Sequence, residues 1–248
     1  VGGAGAVRVR RVLRSAHTKV IGNRQELPDC RAIGSHDGVL RGDRIGEVME
    51  MENRKTLCGK VRDSGMPDPA QWETFFNPRC ILERLDCGDS PGDAVEFGCG
   101  YGTFTLPAAE LIDGRVFALD IEPALVAETA RKAAHAGLTD VVAEERDFVA
   151  DGCGRPDGSI VYAMLFNILH TEEPIGLLCE ARRALAPGGI AAIIHWRKDL
   201  PTPRGPSPEI RPDPEQCRVW GEAAGLEFVR YESLTCCSWH WGLMMRRP

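Results

Sequence analysis

The sequence predicts an α/β protein: a doubly wound, mostly parallel seven-stranded sheet whose C-terminal strands form an antiparallel pair. Three observations carry this. Short apolar runs alternate with helix-period segments between residues 94 and 196. Several runs, such as "RVFALDI", are nearly continuous in apolar residues, as suits a parallel strand buried on both faces. Gly98, Gly100 and Gly102 directly follow the first run and precede a helical pattern, at the sheet edge where such folds hold ligands.

The elements follow in order. "DPAQWETFFNPRCILERL" places Trp72, Phe75, Phe76, Ile81, Leu82 and Leu85 at helical spacing with Pro78 between, predicting two short helices. Ala94 to Phe97 is the first strand, Phe104 to Leu111 a helix, and "RVFALDI" the second strand. Pro123 opens a helix in which Val126, Ala130 and Ala133 are predicted to share a face, and Gly137 stops it. "DVVAEERD" and "SIVYAMLF" are the third and fourth strands. "PIGLLCEARRALAPGG" is an amphipathic helix with Leu178, Ala181 and Leu185 on one face and Pro187-Gly188-Gly189 as its end. "IAAIIHW" is the fifth strand, Glu215 to Ala224 the last helix, and "LEFVRYE" and "SWHWGLMMR" the closing pair. Between them, "KDLPTPRGPSPEIRPDPE" carries six prolines and reads as a loop bordering a substrate site.

The first 65 residues read differently. No acidic residue precedes Glu26, while Arg8, Arg10, Arg11, Arg14, Lys19 and Arg24 are basic. The composition superficially matches a transit peptide. The preferred expectation is an irregular extension over 1–65, disordered or lying upstream of the natural start, ahead of a domain over 66–248.

Composition narrows the function. A net charge of -6 gives no global reason to bind nucleic acid, and no window is apolar for long enough to span a membrane. The ten cysteines include no Cys-x-x-Cys, and the adjacent Cys236-Cys237 suits zinc poorly. They are expected to be reduced thiols in a cytoplasmic protein without a metal.

The glycines after Phe97 allow positive φ and close approach of a ligand to the backbone, and the helix behind them favours negative charge at its N-terminus. Asp120, at the end of the second strand, is placed to accept hydrogen bonds from ribose hydroxyls. A dinucleotide and S-adenosylmethionine compete for such a site. The dinucleotide pattern requires Gly or Ala at position 103, where Thr103 stands, and Glu96 would oppose a pyrophosphate. S-adenosylmethionine has no phosphate and carries an ammonium and a sulfonium, which a carboxylate favours.

With these residues in view, "VEFGCGYG" resembles the first motif of the class I S-adenosylmethionine-dependent methyltransferases, "FALDIEPALV" their second and "ERDF" their third. "LFNILH" is similar to their segment after strand four, and "EARRALAPGG" to the turn before strand five. The resemblance, closest to the small-molecule branch, implies a Rossmann-like fold and S-adenosylmethionine as cofactor. It implies that Glu96, Gly98, Cys99, Gly100, Tyr101 and Gly102 cradle the methionine portion, Tyr101 with its backbone and its ring. It places Asp120 on the ribose, Ile121, Asp147 and Phe148 around the adenine, and Asn167 beside the sulfonium and the acceptor. Cys99 is unusual among those glycines and is tolerated if only its backbone is used.

Methyl transfer is an in-line displacement, so alignment matters most, and a base is needed only for an acceptor that loses a proton. His170 and His195 are the candidate bases, each also open to a packing role. Arg197 and Lys198 are candidates for an anionic acceptor, with solvated loop charges as the preferred alternative. His240 is read as structural or at the pocket rim, and Trp72 and Phe75 as lid or core residues. The resulting expectation is a methyltransferase acting on a small molecule, with no nucleic-acid or membrane partner. The alternatives are an NAD-dependent oxidoreductase and a non-catalytic S-adenosylmethionine-binding module.

Overall fold

A computed structural model describes residues 66–248, so the expected extension over 1–65 lies outside the described residues. Prolines set the helix starts. Helices α1 (Pro69–Glu73), α2 (Pro78–Arg84), α4 (Pro123–His135), α5 (Pro174–Ala184) and α6 (Pro214–Ala223) each carry proline in the first turn, where the missing N–H is no loss. Asp68, Asn77 and Asp213 cap α1, α2 and α6 by accepting from the backbone N–H groups of Ala70, Cys80 and Gln216. The short helix α3 spans Thr105–Ala109.

Strands β1 (Asp93–Phe97), β2 (Val116–Asp120), β3 (Val141–Glu145), β4 (Ile160–Phe166), β5 (Leu185–Trp196), β6 (Glu227–Glu232) and β7 (His240–Arg246) form one sheet in the order β3-β2-β1-β4-β5-β7-β6. The first four pairings run parallel from β3 to β5, and β7 is antiparallel to both β5 and β6. Alternation along the strands feeds two cores. Ile160, Ala163 and Leu165 face the core shared with α5 and α6, while Tyr162, Met164 and Phe166 face the core shared with α2 and α3.

Two element readings are corrected. The buried face of α4 is Leu125, Thr129 and Ala133; Ala130 is exposed. The stripe moves because the Thr129 hydroxyl has a buried partner, donating to the Gly100 carbonyl at 2.9 Å, so a polar residue goes inside. Helix α5 ends at Ala184, before Pro187-Gly188-Gly189, which belong to an irregular start of β5. Gly188 there donates to the Arg247 carbonyl, tying the bulged segment to the end of the chain.

The expectation of reduced thiols also fails in part. Cys80 of α2 and Cys236 form a disulfide with their Cα atoms 6.5 Å apart, and Cys179 is disulfide-bonded as well. Cys87, Cys99, Cys153, Cys217 and Cys237 are free and buried. Proximity across the fold, which spacing along the chain does not encode, brings Cys80 to Cys236. The cysteines therefore no longer support a cytoplasmic setting. Among the described residues no helix is long and apolar enough to cross a membrane.

Candidate functional site

The carboxyl ends of β1 to β5 converge on a cavity of about 600 Å³. Residues from each of the five contribute: Glu96 and Gly98, Asp120 and Ile121, Arg146 to Val149, Phe166 to Ile168 with His170, and Trp196. This is the edge at which a doubly wound sheet leaves a crevice. A smaller concavity of about 390 Å³, lined by Asp86, Asp89, Tyr162 and Arg246 among others, holds none of the predicted site residues.

The loop after β1 is held by β2. Gly98 and Cys99 both donate N–H groups to the Leu119 carbonyl, at 2.9 and 2.8 Å. The Asp120 carboxylate accepts from the N–H groups of Gly100 at 2.9 Å and Glu122 at 3.0 Å. Gly98, Gly100 and Gly102 all have positive φ. At Gly102 a Cβ would lie 2.6 Å from Leu106 Cδ1, so glycine is required both for conformation and for close packing on α3.

Glu96 is buried, 2% exposed, and accepts a short hydrogen bond from the Thr105 hydroxyl. Burial pushes its carboxyl up to about 8, with the nearby Asp120 carboxylate adding to the shift. Burial also raises Asp120, against the hydrogen bonds from Glu122 and Gly100. Asn167 sits just past β4 at a φ of 56°, a conformation that asparagine tolerates better than most residues. Its Oδ1 is buried and has no hydrogen-bond partner among the described residues, and the same holds for Thr103 Oγ1. Both residues line the cavity.

Of the residues expected to cradle or contact a cofactor, Glu96, Gly98, Cys99, Gly100, Asp120, Ile121, Asp147, Phe148 and Asn167 line this one cavity. Asp147 Oδ1 also accepts from the N–H groups of Val149 and Ala150, which fixes the turn after β3. Phe148 packs edge-on against Phe97. Cys99 is buried beside the Thr129 hydroxyl, and its thiol is raised by burial. Two residues stand apart. The Tyr101 ring turns outward: its hydroxyl donates to the Pro67 carbonyl and Lys132 lies over its face. Gly102 packs behind the loop against Leu106 and Thr129.

The histidines divide in the same way. His170 is partly buried and lines the cavity, while His195 is completely buried behind it, with 3.2 Å between His170 Nδ1 and His195 Nε2. Burial lowers His170, and it lowers His195 to about 3. His195, expected as a base at the cavity, therefore lies behind it as a buried neighbour of His170. Strand alternation explains it: His195 faces Trp241 on one side of β5, and Trp196 turns to the other side and lines the cavity. His240 packs its ring on Trp196 and Phe76, with centroids 4.1 and 4.7 Å away. Arg197 and Lys198 pair with Asp199 and Asp213 at the surface.

Sequence reasoning missed Trp196, Thr105 and Met66. The segment between β5 and α6 does border the cavity, through Arg204, Gly205, Pro206, Ser207 and Ile210. The buried Arg211 guanidinium shapes this strap, donating to the carbonyls of Arg197, Arg204 and Pro206 and to the Thr202 hydroxyl. Trp72, considered as a lid, also lines the cavity, its ring 6.4 Å from that of Trp196, and Phe75 lies in the adjoining aromatic cluster.

Residues 94–189 match the family model of a methyltransferase domain. The chain is 25% identical over 135 residues to the N-demethylindolmycin N-methyltransferase of Streptomyces griseus, covering 52% of this chain and 56% of that one. It is 28% identical over 159 residues to the ribosomal protein L11 methyltransferase of Vibrio cholerae, covering 58% and 51%. The chain thus spans about half the length of these curated relatives. The crystal structure of a SAM dependent methyltransferase from Aquifex aeolicus shares the fold at a TM-score of 0.63 and 22% identity, over 78% of this chain and 98% of that one.

The residues present fit the cofactor that this likeness implies. Buried acceptors without a donor, Asn167 Oδ1 above all, together with the Glu96 and Asp120 carboxyl groups, suit an ammonium and ribose hydroxyls. With this strand order and cavity chemistry, residues 94–189 are similar to a methyltransferase domain, and the described residues share the fold of a SAM dependent methyltransferase.

Proposed function

We propose that this chain transfers a methyl group from S-adenosylmethionine to a small-molecule acceptor. One observation carries the reading. A single cavity joins acceptor-rich polar groups on the β1–β2 side to aromatic rings and a histidine on the β4–β5 side. In this reading Glu96 and Asn167 meet the ammonium, and Gly98, Cys99 and Gly100 give close backbone approach. Asp120 takes the ribose hydroxyls, and Ile121, Asp147 and Phe148 enclose the adenine. Tyr101 and Gly102 act from outside the cavity by fixing the loop's shape.

When bound, the cofactor supplies a methyl carbon already activated by its sulfonium. The chain's task is alignment, an effect that lowers such barriers by about 7–11 kcal/mol in well-oriented systems. Trp72, Phe104, Phe166 and Trp196 offer apolar walls to an acceptor. Of the relatives, one is named for a small-molecule acceptor and another for a ribosomal protein. Partial enclosure by Pro67 and Trp72 together with the strap favours the small molecule over a polypeptide.

Calorimetric titration with S-adenosylmethionine, S-adenosylhomocysteine and NAD tests the reading. Both adenosyl compounds are expected to bind and NAD to give no heat; the reverse would overturn it. Repeating the titration in buffers of different ionisation enthalpy counts protons. Glu96, raised to about 8, is protonated at pH 7, and an arriving cation favours the carboxylate, so binding releases a proton.

A further inference from the structure

The two histidines form a chain of contacts with a direction. His195 Nδ1 lies 3.4 Å from the Trp196 carbonyl oxygen, which can only accept. Nδ1 of His195 therefore carries the hydrogen. Because His195 is completely buried and neutral, its Nε2 holds a lone pair. His170 Nδ1, 3.2 Å away, must then donate to it. This leaves the lone pair of His170 on Nε2, in the residue that lines the cavity.

We propose that His170 Nε2 is the general base for an aromatic hydroxyl acceptor, with His195 as the positioning residue that fixes its tautomer. The proposal rests on the methyltransferase reading and adds the class of acceptor. The aromatic lining by Trp72, Phe104, Phe166 and Trp196 suits a planar ring. His170 is held neutral by burial, so it is unprotonated at neutral pH and ready to accept. A phenolic proton, with a pKa of about 10, is within reach of such a base as the oxygen attacks, unlike that of an alkyl alcohol. Glu172 and Glu173 on the cavity wall disfavour an anionic acceptor. The charged and titratable groups around the pair are Arg211 and His240 behind it and Glu172, Glu173 and Arg204 along the cavity.

The step balances. The acceptor oxygen forms a bond to the methyl carbon as the carbon–sulfur bond breaks, and that bond's electron pair stays on sulfur. The hydroxyl proton passes to His170 Nε2 and from there to solvent. No oxidant or further reactant is needed.

Nitrogen-15 NMR of the histidine-labelled full chain tests the tautomers directly. His170 and His195 are both expected as Nδ1–H, and phenol added with S-adenosylhomocysteine should shift the His170 Nε2 resonance. His195→Gln, whose amide oxygen can still accept, should keep the His170 tautomer, whereas His195→Leu should lose it. If the leucine variant fails to fold, wild type and the glutamine variant decide. With labelled S-adenosylmethionine and phenol, His170→Ala should lower kcat/KM by about 100-fold or more, and His195→Leu should shift its pH profile. An Nε2–H tautomer at His170 overturns the relay. A His170 resonance unmoved by phenol, with no transfer to phenol, overturns the acceptor class. Failure of S-adenosylhomocysteine to bind the same sample counts instead against the methyltransferase reading.

Discussion

The two sides of the cavity are built by different means. The β1–β2 side is a local construction: Glu96, Gly98, Cys99 and Gly100 are contiguous, and Asp120 holds the loop from the neighbouring strand by a backbone hydrogen bond. The β4–β5 side is assembled from afar. Trp72 comes from α1, Trp196 from β5, and Gly205 from the strap, packed so flat that a Cβ there would lie 2.8 Å from Trp196 Cγ. A loop that uses backbone and carboxylates can serve one fixed ligand, while a wall of rings from separated segments can change shape with any of them. This difference teaches that the two sides are separable in construction, and each can be damaged alone.

Asp120→Ala should give the largest effect, and on the cofactor side only. A hydrogen bond to a charged group is worth roughly 1.5–3 kcal/mol, so losing the ribose contacts should weaken S-adenosylmethionine by about 100-fold in a calorimetric titration. The Gly100 N–H also loses its partner, so the loop itself loosens. Unchanged affinity would show that the carboxylate serves the loop alone.

The converse variant is Gly205→Ala. Gly205 has a φ of +110° and lies against the Trp196 ring. An alanine must relax the strap or stay strained at a cost of about 1–3 kcal/mol, seen as a fall of roughly 2–4 °C in Tm per kcal/mol at this chain length. S-adenosylmethionine affinity should stay within about twofold, as for independent sites. A parallel loss of cofactor binding would mean that the two sides are coupled.

Legibility followed the same division. Glu96, Asp120 and Asn167 could be read because each sits next to a strand end inside a short recognisable segment. The seven strands and their final antiparallel pair were legible from apolar runs and turn residues. Thr129 was not, because its burial depends on a hydroxyl contact with Gly100 across 29 residues. His195 was expected at the cavity and Trp196 was missed: a strand buried on both faces gives no hydrophobic alternation to show which neighbour meets the cavity. Cys80 and Cys236, 156 residues apart, meet only through the fold. Contacts made by closing long loops leave no local pattern to read.

The same division shows in stability against pH, where the two sides pull in opposite directions. Glu96 is raised to about 8 from the ordinary 4.5. Between those values the native state keeps a proton that the unfolded chain has released, so stability falls as pH rises. His195 and His240 are each lowered to about 3 from 6.5 by burial. Between those values the unfolded chain takes up protons that the native state refuses, so stability falls as pH drops. Each proton is worth about 1.4 kcal/mol per pH unit. From pH 4.5 to 6.5 two histidines outweigh one carboxylate, and above 6.5 the carboxylate acts alone. Of these three groups, then, the balance sets a maximum in Tm near pH 6.5. Glu96→Gln should flatten the alkaline limb and steepen the acid limb between pH 4.5 and 6.5, where Glu96 no longer offsets the histidines. A thermal scan across pH 4 to 9 in which Glu96→Gln changes neither limb would show that the buried carboxyl does not hold its proton in the folded chain.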